Sequence, residues 1–261
     1  MPIISKRKLI TNVAAYAPAV SAFTPASLPG LVAWYDASVT GSFTKNGGGA
    51  ISNGDIIGTW ADQSTHGYTL TGNGASAPVY QSAGFNSTKP CVFWDGLDIR
   101  GFVTATSVTH FNSGTAASFF VVCRIDTKNG RFASFAVNGS AFDVGAADII
   151  FLFDNGGNLS LYSNGVVGSV AYSTGTNYRL GSSIDATDSD IYVNNTGTDD
   201  AGGGSTFTST GAIAIGCRQA NNLVDAASLA GAVSEIVIGN QVWTPTQFTS
   251  LYTYAGTKWG L

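Results

Sequence analysis

Glutamate is almost missing from this chain, which has a single Glu, at position 235, beside fifteen Asp and 33 Gly among its 261 residues. Only 11% of the residues are charged, against roughly 25% in an average soluble domain. Glu and Lys favour helices, whereas Asp and Gly favour turns. Because 44% of the residues are apolar, the chain has enough material for a core. We therefore expect an ordered protein built mostly of strands and turns.

Short apolar runs alternate with glycine-rich turns from Leu31 onward, which is the pattern of a many-stranded β domain. Asn-Gly pairs between several runs supply the positive φ angles of tight hairpins. Repeated hairpins with little helix between them predict antiparallel pairing in a β-sandwich. The predicted strands are 31–36, 91–94, 118–125, 132–137, 149–153, 159–162, 166–172, 178–182, 190–194, 212–217 and 232–238.

One short helix is predicted near the C-terminus. Thr244, Pro245 and Gln247 form a capping-box signature with proline at the first helical position. Apolar residues then recur at helical spacing, so one face of the helix should dock on the sandwich. These apolar residues are Phe248, Leu251, Ala255 and Trp259.

The first thirty residues differ from the rest, and we predict an extended N-terminal arm over 1–30 and a β-sandwich domain over 31–261. Lys6, Arg7 and Lys8 give the arm a charge of +3, which leaves 9 basic and 16 acidic residues, or −7, for the body. This separation of charge favours attachment of the arm to a neighbouring chain. Packing of the arm on its own domain is the alternative.

Several classes of protein are excluded by charge and hydropathy. The net charge of −4 and the pI near 4.9 argue against nucleic-acid binding, which needs a basic face. No stretch approaches eighteen apolar residues, so we expect no membrane helix. Cys91, Cys123 and Cys217 lie in separate apolar runs without metal-site spacing, so they are expected to be buried free thiols.

Several segments together resemble the concanavalin-A-like, laminin-G-like jelly rolls, particularly those of bacteriophage structural proteins. Four are short, and their sequences are LPGLVAWYDAS (28–38), IGTWADQSTHGYTLT (57–71), KPCVFWDGLD (89–98) and DIYVNNT (190–196). The segment 213–260 is longer and more specific, and it resembles the closing strand, strand and helix of that family. The resemblance implies an all-β, antiparallel jelly-roll β-sandwich with one short C-terminal helix.

Related folds include glycoside hydrolases, which place two carboxylates, usually of Glu, close together on one strand. The strand around Glu235 offers no second carboxylate, so we expect Glu235 to be a satisfied or solvent-facing strand residue. Asp62, Ser64 and His66 could suggest a catalytic triad, but the cluster matches a turn held by local hydrogen bonds. No catalytic residue is therefore assigned, and an enzyme is not expected.

Calcium is a weaker possibility, because lectin-like relatives of this fold often hold Ca²⁺ at a sandwich rim. Asp185, Asp188 and Asp190 cluster before a predicted strand and are the candidate ligands. Clustered Asp residues more commonly serve as turn caps, so no cofactor is assigned. Trp34, Trp60, Trp94 and Trp259 lie in segments of the resemblance and are expected in the core, so no aromatic residue is assigned to a sugar site.

The leading hypothesis is a non-enzymatic bacteriophage virion protein, a capsid decoration or tail-surface module anchored by its N-terminal arm. It would lie in the virion and contact other virion proteins, such as the major capsid or tail protein, and further copies of itself. The alternative is a lectin-like, receptor-binding module of a phage tail or head fibre that recognises host-surface glycans. A glycoside hydrolase is the third candidate.

Overall fold

The computed structural model describes residues 22–96, 101–104, 108–111, 116–127, 131–137, 149–155, 157–163, 166–200, 211–217, 219–220, 223–224 and 229–261. A single α-helix, α1 (Pro245–Trp259), follows the strands of this described part. In chain order the strands are β1 (Leu31–Asp36), β2 (Phe43–Lys45), β3 (Ile57–Trp60), β4 (Leu70–Gly72), β5 (Val79–Phe85), β6 (Lys89–Asp95), β7 (Phe102–Thr104), β8 (Ala117–Ile125), β9 (Arg131–Val137), β10 (Ile149–Asn155), β11 (Asn158–Ser163), β12 (Val166–Ala171), β13 (Thr176–Ile184), β14 (Ser189–Val193), β15 (Thr196–Asp200), β16 (Gly211–Ile215), β17 (Gln219–Ala220), β18 (Leu223–Val224) and β19 (Ala230–Gly239).

β17 and β18 pair only with each other, and the other strands form two large antiparallel sheets that pack face to face. Sheet A has the order β15-β14-β13-β8-β19-β6-β5, with β1 also paired to β19, and sheet B has the order β12-β11-β10-β9-β16-β7-β4-β3-β2. Between the sheets, Tyr35 contacts Trp60 and Trp94 contacts Phe102, with ring centroids 5.6 and 5.8 Å apart. Trp60, Trp94 and Trp259 are fully buried, whereas Trp34 is half-buried. The predicted antiparallel β-sandwich with one C-terminal helix is confirmed.

Two apolar strands, β8 and β19, lie at the centre of sheet A and pair with each other. All ten residues of β19 are buried, because sheet B covers one face of sheet A and α1 covers part of the other. Strands buried on both faces have near-continuous apolar sequences instead of an alternating pattern. This is why the runs around Phe120 and Val237 are readily recognised in the sequence.

Helix α1 begins and ends as the sequence predicts. Thr244 Oγ1 accepts from the Gln247 backbone N–H at 3.3 Å, and the Gln247 side chain accepts from the Thr244 N–H at 2.7 Å. The helix ends at Gly260, whose φ of +72° is the left-handed conformation typical of a glycine cap. Asn86 Nδ2, from the β5–β6 turn, donates to the Gly260 carbonyl at 2.8 Å. The helix is therefore capped at both ends, and Asn86 joins its C-terminal end to sheet A.

Strands β1 and β6 lie one after the other along the same edge of β19. β6 pairs with the first half of β19, from Ala230 to Val233, and β1 pairs with the second half. In the β1 register Asp36 is directly opposite Glu235. The two acidic residues are therefore neighbours across the sheet, although 199 positions separate them in the sequence.

Several strands were not predicted, among them β2, β3, β4, β5, β7 and β15. Most are three to five residues long and contain Gly or Thr. β5 is longer, but Gln81, Ser82 and Gly84 interrupt its apolar residues. Such segments have no apolar run, and their pairing depends on the neighbouring strands.

Part of the predicted arm lies on the sandwich. Leu28 is buried, and Trp243 Nε1 donates to the Pro29 carbonyl at 3.1 Å. Residues 1–21, including Lys6, Arg7 and Lys8, lie outside the described residues. The predicted division at residue 30 and the attachment role of the arm stay predictions. In the described ranges no helix has the length and apolar character needed to span a bilayer.

Candidate functional site

Glu235, the only glutamate in the sequence, lies in β19 and has no exposed surface. Its Oε1 accepts hydrogen bonds from Trp34 Nε1 at 2.8 Å, Tyr254 OH at 2.9 Å and Lys258 Nζ at 3.0 Å. Its Oε2 accepts from Trp259 Nε1 at 2.6 Å. Four donors thus satisfy a carboxylate that would be costly to bury alone. Of the two roles predicted for Glu235, the structure shows a satisfied strand residue and not a solvent-facing one.

A second carboxylate, that of Asp36, lies beside Glu235 and comes from the neighbouring strand β1. Asp36 Oδ2 is 2.6 Å from Lys258 Nζ. Asp36 Oδ1 accepts from the backbone N–H and the hydroxyl of Ser38, at 2.8 and 2.6 Å. The expectation that Glu235 has no partner carboxylate considered only its own strand, and the partner is a cross-strand neighbour.

Lys258 joins the two carboxylates from the last turn of α1. Its Nζ donates to Asp36, to Glu235 and to Tyr254 OH, the last at 2.8 Å. It also lies 4.9 Å from the ring centroid of Trp259, 5.1 Å from that of Tyr254 and 5.8 Å from that of Trp34. An ammonium group has three donors, and all three are used. We call these six residues the Glu235 network.

Burial raises the pKa of two groups in this network, those of Glu235 and Tyr254. Loss of hydration raises the pKa of Glu235, and the nearby Asp36 carboxylate raises it further, against the opposing effect of Lys258 and two indole N–H donors. Burial also raises the pKa of Tyr254, as does its contact with Glu235. Glu235 therefore binds a proton more readily than an exposed glutamate.

The outer face of α1 and the segment before β1 enclose a cleft of about 550 Å³ directly above this network. The rings of Phe23 and Tyr254 meet edge to face there, with centroids 6.1 Å apart and planes at 70°. We call this site the helix cleft. Its lining residues are Ala22, Phe23, Thr24, Thr249, Ser250, Thr253, Tyr254, Thr257 and Lys258.

Hydroxyl groups cover much of the helix side of the cleft. Ser250, Thr253 and Thr257 each donate to the backbone carbonyl four residues earlier, at 2.9 to 3.0 Å. A hydroxyl that donates in this way keeps acceptor lone pairs for a second partner. The spacing of Thr249, Thr253 and Thr257 is visible in the sequence, but the apposition of Phe23 is not.

A second pocket, of about 360 Å³, lies at the start of β1, and we call it the histidine pocket. The rings of His66 and His110 line it with centroids 3.9 Å apart. Tyr68 OH is 2.5 Å from His110 Nδ1. Burial and the neighbouring His66 ring lower the pKa of His110.

The turn beside the histidine pocket is organised by Asp62. Its carboxylate accepts from the backbone N–H groups of Trp34, Ser64 and Tyr68 and from the Ser64 hydroxyl, at 2.6 to 3.0 Å. The His66 ring instead places Nε2 at 3.1 Å from the Leu31 carbonyl. The predicted turn role of this Asp/Ser/His cluster is confirmed.

The candidate calcium ligands do not share one site in the structure. Asp185 Oδ1 accepts from Thr187 and from the backbone N–H of Asp188, and hydrogen bonding to Thr187 lowers the pKa of Asp185. Asp190 Oδ2 instead contacts the hydroxyls of Ser183 and Tyr192. No group of three His, Cys, Asp or Glu side chains arranged for a metal occurs in the described ranges.

The three cysteines are buried and free, as predicted. Burial raises the pKa of Cys91 and Cys217 to about 12 and also raises that of Cys123. The reactive thiolate form is therefore disfavoured at neutral pH. These groups are part of the core.

No protein-family model and no curated protein sequence matches the chain. Similarity appears at the level of solved structures. A GH54 α-L-arabinofuranosidase soaked with 4-nitrophenyl α-L-arabinofuranoside matches with a TM-score of 0.59 and 16% identity, over 85% of this chain and 62% of the enzyme. A Trypanosoma rangeli sialidase in complex with sialic acid matches with a TM-score of 0.53 and 13% identity, over 87% of this chain and 33% of the sialidase. The chain therefore spans only part of each of these proteins.

The comparisons correct the functional expectation. The matched proteins are glycoside hydrolases with a related β-sandwich fold, and no link to a bacteriophage emerges. The leading hypothesis of a non-enzymatic virion protein is therefore wrong, and so is the phage setting of its lectin-like alternative. The exclusion of an enzyme is also overturned, because it relied on the scarcity of Glu, and the fold is one that carbohydrate-active enzymes use. At these identities the likeness establishes the fold.

Proposed function

We propose that this chain is a carbohydrate-recognising β-sandwich and that the helix cleft receives the sugar. The observation that carries the proposal is the pairing of two aromatic rings, Phe23 and Tyr254, with a row of hydroxyl groups in one cleft. The likeness to an arabinofuranosidase and a sialidase supports the same class of ligand.

The chemistry of the cleft suits a sugar. A pyranose or furanose ring has apolar C–H faces and a rim of hydroxyl groups. The Phe23 and Tyr254 rings offer apolar surface, and the oxygens of Ser250, Thr253 and Thr257 can accept from sugar hydroxyls. Ligand sites in general are mostly apolar, with a few polar groups that fix orientation.

The Glu235 network contributes by positioning. Tyr254 OH donates to Glu235 and accepts from Lys258. These two hydrogen bonds, on the side away from the cleft, hold the Tyr254 ring in one orientation. A side chain fixed before the ligand arrives loses less conformational entropy on binding. The two buried carboxylates thus support the cleft from beneath, whereas Lys258 also forms part of its lining.

The test is calorimetric titration with 4-nitrophenyl α-L-arabinofuranoside and with sialic acid, followed by a wider set of oligosaccharides. The variant Phe23→Ala removes one wall of the cleft and should weaken binding at least about fivefold, since an aromatic contact contributes roughly 1 kcal/mol beyond its buried area. Val242→Ala shortens an exposed apolar side chain outside the cleft lining and serves as the matched control.

Two results would contradict the proposal. One is equal affinity of the wild type and Phe23→Ala for a sugar that binds. The other is the absence of binding across all the sugars tested. Release of 4-nitrophenol from the arabinofuranoside by the wild type would extend the proposal from recognition to hydrolysis.

A further inference from the structure

We propose that Lys258 and Asp36 become joined by an amide bond between Nζ and Cγ, formed within the chain with Glu235 as the proton carrier. The proposal concerns a covalent modification of the Glu235 network and does not depend on sugar binding. It is carried by the arrangement of one amine and two carboxylates in a water-poor site.

The reacting groups are already in contact. Lys258 Nζ lies 2.6 Å from Asp36 Oδ2, which is shorter than the typical charge-assisted N–H···O distance of about 2.7–2.9 Å. Asp36 is fixed by β1 and by two hydrogen bonds from Ser38. Lys258 is fixed by the last turn of α1. When two reacting groups are held side by side, a bimolecular reaction becomes effectively unimolecular. This can raise the rate of bond formation by many orders of magnitude.

The reacting groups lie in an environment with little access for water. Asp36 is buried, Glu235 is fully buried, and the Lys258 side chain is 20% exposed. The rings of Trp34, Tyr254 and Trp259 surround Nζ. The reacting groups are therefore largely shielded from water.

The reaction balances without any further reagent. Lys258 first passes one proton to Asp36, which leaves a neutral amine beside a neutral carboxylic acid. The nitrogen lone pair then attacks Cγ and forms a tetrahedral intermediate. Glu235 accepts a second proton from the nitrogen and delivers it to the departing hydroxyl. One water molecule leaves, the C=O bond reforms, and Glu235 returns to its initial state.

Glu235 is well placed for this role as general base and acid. Its Oε1 is 3.0 Å from Lys258 Nζ, within the reach that proton transfer requires. Burial raises the pKa of its carboxyl group, so the protonated form is accessible during the reaction. Its hydrogen bonds from Trp34 and Trp259 keep the carboxylate in position.

The bond would tie the beginning of the described fold to its end. Asp36 and Lys258 are separated by 222 positions, and the bond would connect β1 directly to α1. The helix side of the helix cleft would then be covalently fixed to sheet A.

The mass of the intact wild-type protein tests the proposal. We expect it to be lower than the sequence mass by one water molecule. Trypsin cleaves after Lys and Arg, so the cross-linked product would contain the peptide 9–45 joined to 219–261, uncleaved at Lys258. Tandem mass spectrometry then locates the bond. A mass equal to that of the sequence would overturn the proposal.

Variants distinguish the Lys258–Asp36 cross-link from other reactions that release water. The variant Asp36→Asn should still form the cross-link, but it should release ammonia in place of water. The resulting amide is identical to that of the wild type. Lys258→Arg keeps the positive charge and should show no loss. Glu235→Gln keeps the shape of the side chain and should slow the reaction strongly. A water loss that maps to a succinimide at Asp95–Gly96, or that persists in Lys258→Arg, would refute the cross-link.

Discussion

At the scale of single residues, the carboxylate of Glu235 joins three parts of the molecule, because its donors come from β1 and α1 while it lies in β19. A buried ion pair on its own is weak evidence for stability, since desolvation offsets much of the attraction. Removing one partner is different, because it leaves an uncompensated charge in the core. The network therefore defines how α1 lies on sheet A.

The protonation of Glu235 makes a prediction about stability and pH. Burial raises the pKa of Glu235 in the folded state above its value in the unfolded chain, so the folded state binds a proton more readily. Relative to Glu235→Gln, the free energy of unfolding of the wild type should rise as the pH falls from neutral. This gain should be complete below the unfolded pKa of about 4.3.

Urea denaturation of both proteins at several pH values measures this difference. The informative quantity is the change with pH in the difference between the two unfolding free energies. A difference that stays constant, or that changes in the opposite direction, would show that the pKa of Glu235 is not raised by folding.

Residue roles were only partly predictable. The sequence identifies the Asp62 cluster as a turn, because its hydrogen bonds to Ser64 and Tyr68 join residues within six positions. It identifies Glu235 as a strand residue, but the donors that satisfy its carboxylate lie 19 to 201 positions away. The contact between Asp36 and Glu235 depends on strand order, and the apposition of Phe23 and Tyr254 depends on how the helix docks. Contacts between residues about 200 positions apart cannot be inferred from the spacing of residues along the sequence.

At the scale of elements, α1 lies very close to sheet A. A Cβ atom added to Gly181 in β13 would lie 2.8 Å from the Phe248 ring and 3.1 Å from Tyr252 OH. Phe120 in β8 meets the Tyr252 ring at 5.2 Å. The helix is therefore positioned by aromatic side chains that rest directly on the backbone of the sheet.

The variant Gly181→Ala tests this packing. The added methyl group has no free space, so the helix or the ring must shift, and we expect a loss of about 1–3 kcal/mol in unfolding free energy. Gly41→Ala is the control, because nothing lies within 4 Å of its added Cβ. Thermal and urea denaturation measure both. Equal stability of the two variants would contradict the close contact.

The elements with strong local signals were predictable. Capping residues identify α1, and continuous apolar runs identify β8 and β19, because burial on both faces requires such runs. The short strands β2, β4 and β7 lack these runs and form only when sheet B assembles around them. Their existence is a property of the whole sheet and not of their own residues.

At the scale of the whole molecule, the sandwich supports one helix, and the helix forms one side of the cleft. The Glu235 network lies between them and connects the cleft to the centre of sheet A. A sugar in the helix cleft would therefore contact a Tyr254 ring that is already held by hydrogen bonds to Glu235 and Lys258.

The central claim is that sugar binds in the helix cleft, and nuclear magnetic resonance of the 26.8 kDa protein tests it most directly. Backbone amide signals are assigned and followed while 4-nitrophenyl α-L-arabinofuranoside, sialic acid or another binding sugar is added. We predict that the signals of Phe23 and of the outer face of α1, from Thr249 to Lys258, shift with increasing sugar while those of His66 do not. Shifts confined to the histidine pocket, or no shifts with any sugar, would contradict the claim.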